Sequence, residues 1–413
     1  MTNISKDATH IYLDVNVCNN SISNDNSTPQ QIIFNSKRDV DYITNTSDFM
    51  VSVARFSLDC RLPVCVPQID LTHNGGMFDP DLGGYQTIYS TTLSILYELP
   101  NPYTGAVYLE SDQTFLIFQP QNVHIPHPLE PIISMKQVYD NRYFYIESVQ
   151  YMMALVNNMF ERAWSNLINK WDDERAIKTY LPDFPARAVS PPFFTYNYDG
   201  NFTLNVDPYL NSIPAEQNRT IQLFMNSPLF TLFNGLSSYT YGYDNTQSSN
   251  GKNHLIQFLT PFQTTTYDER NYIFVITEYP VVPFWSPVSS IVFTTQGIPV
   301  RATNVAPTNI FGSGSNLGST NNNAGLSPEL TDFDINYTTG LEGRSILYYA
   351  PAGEYRFFDL NSNRPLSDIN IIVYWKDKLQ GATHPMYLSS GGAGTMKLLF
   401  RNKNFFKGSN YLL

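Results

Sequence analysis

Charge is scarce in this chain of 413 residues: 15% are Asp, Glu, Lys or Arg, and the formal net charge is −11. A surface that grips phosphates needs a basic footprint, so this balance argues against genome binding as the main task. Cysteine is rarer still, with Cys18, Cys60 and Cys65 as the full set of three. They cannot all pair within one chain and have no metal-ligand spacing; Cys60 and Cys65 lie five apart across a proline, so free, buried thiols in a reducing compartment are expected for these two. The opening residues, Met1-Thr-Asn-Ile-Ser-Lys-Asp, hold no apolar core region, and a secretory signal is not expected. Apolar runs of ~18 residues are missing too, so no segment is expected to span a membrane. The sequons at Asn26 and Asn201 then follow from asparagine richness rather than glycosylation.

Signatures of catalysis are also lacking. There is no G-x-S-x-G, H-E-x-x-H or G-x-x-x-x-G-K-[ST]. The run Ser390-Gly-Gly-Ala-Gly-Thr395 resembles a phosphate cradle, but Lys397 follows Thr395 instead of preceding it; a glycine turn is the plainer reading. Gly312-Ser-Gly314 follows no clear strand–helix unit. His124 and His127 have a metal-compatible spacing with Glu130 nearby, yet the loop is broken by prolines and lacks cysteine. Asp79 with Asp81, and Asp172 with Asp173 and Glu174, are local groups. A glycosidase needs two carboxylates held across a cleft, so these read as turn formers and a solvated helix exit. Lys397, Arg401, Lys403 and Lys407 interleave with Phe400, Phe405 and Phe406. That mixture can bind nucleic acid, but it more often guards a strand edge. No catalytic, cofactor-binding or metal residue is assigned.

What the chain has in plenty is aromatic: 14% of residues, with 28 Tyr and 27 Phe beside 27 Pro. Together with Thr/Ser/Asn clusters, this composition favours short strands joined by turns. The length allows one large β domain or two smaller ones, and burial of about three quarters of the unfolded surface. Strand-like runs appear at 11–17, 31–34, 49–58, 87–97, 114–118, 193–206, 220–225, 254–260, 271–278 and 288–295. Others follow at 344–349, 354–360, 369–376 and 395–401. The clusters at 73–76 and 79–84 punctuate them as turns. From Glu147 to about Asn169 the period becomes helical, with Val149, Met152, Val156, Met159, Ala163 and Leu167 on one face and Ser148 placed to cap it. This methionine-bearing stripe packs on a sheet more readily than it lines a ligand groove. Residues 1–30 read as an N-terminal arm with one pairing segment. Residues 31–413 read as an elaborated single jelly-roll sandwich of two antiparallel sheets. It carries inserted segments, one long helix, a possible outer lobe at about 190–285 and an exposed Gly/Asn-rich loop at 306–328.

The most telling stretch is 49–67. Met50, Ser52, Ala54, Phe56 and Leu58 share one strand face; Val51, Val53, Arg55, Ser57 and Asp59 share the other. Both faces are partly apolar, as in a strand covered on two sides. Leu62-Pro63-Val64-Cys65-Val66-Pro67 then ends the ladder, because proline has no N–H to give. The order Phe49-Met-Val-Ser-Val-Ala-Arg-Phe-Ser-Leu58 followed by Leu62-Pro63-Val64 resembles the penton (minor capsid) proteins of virophages, polintons and polinton-like viruses. Further motifs run collinear with that family over about residues 10–403. Residues 89–97 are similar to its next strand. Phe144–Tyr151 with Leu155-Val-Asn-Asn158 resembles its helix. Ile291–Val300, Gly353–Arg356 with Asp359-Leu360, Ile372–Lys378 and Lys397–Phe400 resemble its later strands.

The resemblance implies a jelly-roll capsomer with inserted outer decoration. Five copies would form a homopentamer at each five-fold vertex of an icosahedral capsid, set among a double jelly-roll major capsid protein. The protein would then belong to the virion and be made in the host cytoplasm or a viral factory. The alternative is a jelly-roll carbohydrate-binding or adhesin module, since aromatic- and Asn-rich loops also suit sugar stacking. A cupin-like or glycosidase enzyme would need a bound metal or carboxylates separated across a cleft.

Overall fold

Turn residues and prolines cut the chain into the short strands that its composition favours. The computed structural model describes residues 9–20, 30–60, 62–99, 102–119, 146, 148–184, 190–197, 200–207, 219–241, 251–257, 264–267, 270–300, 329–334, 346–350, 356–378, 383–388 and 391–406. It opens with β1 (His10–Cys18), β2 (Gln30–Gln31), β3 (Ile33–Lys37) and β4 (Phe49–Asp59). β5 (Tyr85–Glu98), β6 (Ala106–Glu110) and β7 (Thr114–Phe118) precede α1 (Val149–Ile177). β8 (Phe193–Tyr196), β9 (Phe202–Val206) and β10 (Arg219–Met225) lead to α2 (Ser227–Leu232). β11 (Ser238–Thr240), β12 (His254–Ile256), β13 (Thr264–Tyr267), β14 (Arg270–Ile276) and α3 (Val282–Trp285) follow. β15 (Val288–Thr295), β16 (Glu329–Asp334), β17 (Ile346–Tyr349) and β18 (Phe358–Asp359) come next. β19 (Asp368–Asp377), β20 (Thr383–Pro385), β21 (Tyr387–Leu388) and β22 (Ala393–Asn402) complete the strands. The expected mainly β class is borne out. The loop at 306–328 and the polar stretch 21–29 lie outside the described residues.

Contacts divide the chain into one unit of 1–62, 287–336 and 343–413, and another of 63–286 with 337–342. In the first unit the strands nest: β15 pairs β16, β4 pairs β17, β3 pairs β19 and β1 pairs β22, all antiparallel. A long hairpin folded over in this way makes two sheets, β1-β22-β4-β17 and β16-β15-β19-β20 with β3 also on β19. This is jelly-roll winding. The excursion 63–286 leaves between β4 and β15. The two sheets meet through Phe56 of β4, whose ring centroid lies 4.9 Å from Phe293 and 5.1 Å from Phe333. The pairing segment of the expected arm is β1, which joins β22 along its whole length and buries Leu13 and Val15.

One feature is added and one expectation changes. β4 is buried on both faces at Val51, Ser52, Val53 and Ala54, and its register with β22 shifts at Lys397/Leu398, leaving Ala54 as the extra residue of a bulge. Val51 and Val53 before it, and Phe56 and Leu58 after it, therefore all point inward, while Arg55 is exposed. Residues 87–97 were expected in the same sandwich as 49–58. They form most of β5, in the second unit, because the proline-bearing 62–67 segment carries the chain away first. There the Val64 and Cys65 amides both donate to the Ile146 carbonyl, at 2.7 and 3.2 Å.

The second unit has sheets β11-β12-β10-β5-β6, with β7 also on β5, and β13-β14-β9-β8. Residues 193–206 were expected as one strand. They fold back as the β8–β9 hairpin, with Gly200 at φ 88° in the turn. Helix α1 packs against β5, β6, β7 and β8. Ser148 caps it by accepting from the Tyr151 amide. It outruns the expected end, since Trp171 is buried and its indole N–H donates to the Pro182 carbonyl at 3.1 Å. The predicted face is buried, and Met153, Leu155, Phe160, Trp164 and Trp171 join it. So wide a buried surface suits a helix held between sheets.

Val156 is fully buried. Val156→Asp sets a carboxylate in that core and should cost several kcal/mol. Urea unfolding measures the loss; a midpoint like that of the wild type would refute the packing described.

In the first unit, the His384 ring is buried and stacks on Trp375 at 4.2 Å. Burial pushes its pKa down from 6.5 to about 4. A depressed histidine favours the fold while neutral, so its contribution is complete above about pH 6.5 and is lost as the pH falls toward about 4. The loss should reach about 3 kcal/mol. Melting curves across this range should fall less steeply for His384→Gln, and an unchanged slope would exclude the histidine as the cause.

Candidate functional site

The residues singled out by sequence for chemistry are dispersed. His124, His127 and Glu130 lie outside the described residues. Among the described residues, no three His, Cys, Asp or Glu side chains gather as a metal set. Asp79 closes a turn, its carboxylate accepting from the Asp81 and Leu82 amides at 2.9 and 3.2 Å. Asp172, Asp173 and Glu174 belong to the last turns of α1, and Glu174 pairs with Lys178. Gly391, at φ 78°, makes the turn before β22. Cys60 and Cys65 are buried, and burial raises both thiols to about 12, with Asp59 adding to the effect at Cys60. Thiols held so firmly protonated are poor nucleophiles. Cys18, by contrast, is exposed.

The basic residues near the end are engaged across strands. Lys397 pairs with Asp14 and Lys403 with Asp359, each at 3.3 Å, and the Arg401 guanidinium lies 5.6 Å from the Phe357 ring. Lys407 lies outside the described residues. These contacts tie β1, β22 and the 357–359 segment together.

Family-like motifs turn out to be structural joints. In Val156-Asn157, the valine fills the core and the Asn157 amide brackets Phe194, accepting from its N–H at 2.8 Å and donating to its C=O at 3.0 Å. One side chain thus substitutes for a missing neighbour strand on β8. On the same helix, Arg162 donates to the Phe115 carbonyl. Asn166 donates to Asp112 at 3.0 Å, and Lys170 donates to the Glu110 carbonyl at 3.0 Å and to Asp112 at 2.7 Å. Residues spaced by four on the helix therefore clamp the β6–β7 connection.

The second unit also presents an aromatic sheet face. Leu93, Ile95 and Tyr97 of β5 enter the core, so Ser94 and Leu96 point the other way. Across from Leu96 stands Tyr108, and across from Ser94 stands Glu110. Tyr108 donates its hydroxyl to Glu110 at 2.9 Å. The Lys252 amine donates to Tyr108 Oη at 3.2 Å and pairs with Glu110. It also lies 5.6 Å from the Tyr108 ring and 5.5 Å from the Phe224 ring. Burial lowers the Lys252 pKa below its ordinary value. Farther along are Tyr239 of β11 and Tyr241, both exposed. Sequence reading passed over these residues. The alternation Ala106-Val-Tyr-Leu-Glu110 was the available signal, but Lys252 arrives from a distant loop and leaves no mark in it.

Taken together, winding and insertion define a jelly-roll protein that carries a second β-rich unit. The family described as Sputnik minor capsid protein V18/19 matches residues 11–402. The chain belongs to this family of virophage minor capsid proteins, which bears out the resemblance read from its motifs. Structural protein V19 of Sputnik virophage is 25% identical over 193 residues, spanning 45% of this chain and 84% of that protein. A chain in the cryo-EM structure of the Sputnik virophage aligns with a TM-score of 0.68 and 23% identity, covering 97% of this chain and 99% of that one. The crystal structure of the mavirus penton protein aligns with a TM-score of 0.52 and 12% identity, covering 96% and 100%.

The Lys252–Glu110 pair gives a test of the sheet face. Glu110→Gln removes the carboxylate while the amine stays buried, and should cost about 1–3 kcal/mol. Adding Lys252→Met should recover part of that loss, because the stranded ammonium is gone. Urea midpoints of both single variants and the double variant measure the coupling; strict additivity would show that the pair does not interact.

Proposed function

We propose that this minor capsid protein is a penton, with five copies closing a ring at each five-fold vertex of an icosahedral virion. The observation that carries the reading is the family match over nearly the whole chain, supported by the jelly-roll winding of the first unit. Ring closure requires a heterologous interface, in which one patch meets a different patch on the next copy. Contacts rich in Tyr, Phe and Asn and poor in Lys would suit a chain with few charges. A double jelly-roll major capsid protein would surround the ring and add to its stability by mass action. In this reading residues 1–30 act as an arm that includes β1. The excursion 63–286, with 190–285 inside it, supplies the outer decoration. The work is structural and requires no nucleophile, cofactor, membrane span or nucleic acid. Synthesis would take place in the host cytoplasm or a viral factory.

Mass photometry of the purified chain should find a species at five times 47.0 kDa. Imaging of assembled particles should place it at the vertices. A trimer in solution, or vertices filled by another protein, would overturn the penton reading.

A further inference from the structure

We propose that the outer face of the β11-β12-β10-β5-β6 sheet binds a neutral oligosaccharide, with Tyr108 as the ring on which a sugar stacks. The proposal does not depend on ring formation. Its first support is exposure: Leu96 is 44% exposed, Tyr108 50%, Tyr239 63% and Tyr241 40%. A sheet face serving only solvent carries charged and small polar groups instead.

The second support is rigidity. Tyr108 is held by Glu110 at 2.9 Å and Lys252 at 3.2 Å, with the ammonium 5.6 Å from its ring. An exposed ring fixed in advance gives up little conformational freedom when a ligand arrives. A buried ammonium is costly for a fold to keep. Here it and the half-buried Glu110 carboxylate orient a side chain that projects outward.

Third, size and charge select the ligand. From β6 to β11 the sheet crosses four strand spacings, or about 19 Å, which suits an extended chain more than a single small molecule. Lys252 and Glu110 cancel each other, and the net charge of −11 repels an anionic ligand. Sugars offer apolar C–H faces to tyrosine rings and hydroxyls to polar edges. Gln222 and Glu110 supply those edges, and the buried Ser94 beneath them donates to Gln222 at 3.4 Å. The core of a protein–protein contact is more apolar than this.

The test is titration of the full chain with cellohexaose, laminarihexaose and mannohexaose, read by calorimetry and saturation-transfer NMR. At least one should bind saturably. Tyr108→Ala and Tyr239→Ala should each weaken that binding by about tenfold. Tyr12→Ala, at an exposed tyrosine of the first unit, should leave it unchanged. Tyr239 stands apart from the Lys252 network, so its variant remains informative if Tyr108→Ala misfolds. Absence of saturable binding to all three sugars, or binding untouched by both variants, overturns the proposal. So does a loss of self-association in those variants without sugar binding, which would assign the face to contacts between copies.

Discussion

Strand β22 is the element on which the first unit depends. It lies between β1 and β4, pairing with one along His10–Cys18 and with the other along Phe49–Leu58. Its inward residues Met396, Leu398 and Phe400 are all but fully buried. Strands from near the two ends of the chain therefore pair within one sheet, through contacts of very high sequence separation. Such pairing is slow to form, because the loop must close before any contact rewards it. Yet each doubling of a loop's length adds only about 0.6 kcal/mol to its closure. That weak dependence explains how the sandwich tolerates an excursion as long as 63–286 between β4 and β15. What the sandwich needs is that the excursion's own ends be fixed by local packing, and the Ile146 carbonyl does this for Val64 and Cys65.

Inside the second unit, α1 takes the organising role. Its buried face touches both sheets, and aromatic rings fill the angles around it. Phe160 lies 5.8 Å from Phe194, which stacks on Phe233 at 4.3 Å; Phe202 stacks on Trp285 at 4.9 Å. Trp171 meets Tyr97 edge-on at 5.3 Å. Edge and offset contacts of this kind add about 0.5–1.5 kcal/mol per pair beyond area burial. The polar side of the helix is equally committed, through Asn157 to β8 and through Arg162, Asn166 and Lys170 to the β6–β7 connection. A substitution on either side of α1 therefore acts on sheet alignment as well as on helix stability.

Much of this fold was legible in the sequence, for identifiable reasons. Period-two alternation marked β1, β4, β15, β19 and β22, and the change to a helical period marked α1 with its cap. The Leu62–Pro67 segment marked an exit from the first sheet. What it could not reveal was where β5 would pair, since alternation specifies a face but not a partner. The bulge at Ala54 was hidden because an extra residue leaves no mark in a strand apolar on both sides. The run from Lys170 to Arg175 hid the last turns of α1, since Trp171 stands alone among charges. The aromatic sheet face was the least legible feature. It is assembled from β5, β6, β10, β11 and β12, and Lys252 completes it from a loop without any local pattern.

The scarcity of charge noted at the outset now has a structural counterpart. Several of the charges present are spent inside the subunit: Lys397 on Asp14, Lys403 on Asp359, Lys170 on Asp112 and Lys252 on Glu110. The surplus is acidic, so copies of this chain repel one another at long range. Any close association must therefore draw on short-range contact between aromatic, amide and aliphatic surfaces. Salt screens the repulsion over about 10 Å and leaves such contacts intact. A chain built in this way can remain dispersed while dilute and still pack closely once neighbours hold it in place, which is the behaviour an assembly subunit requires.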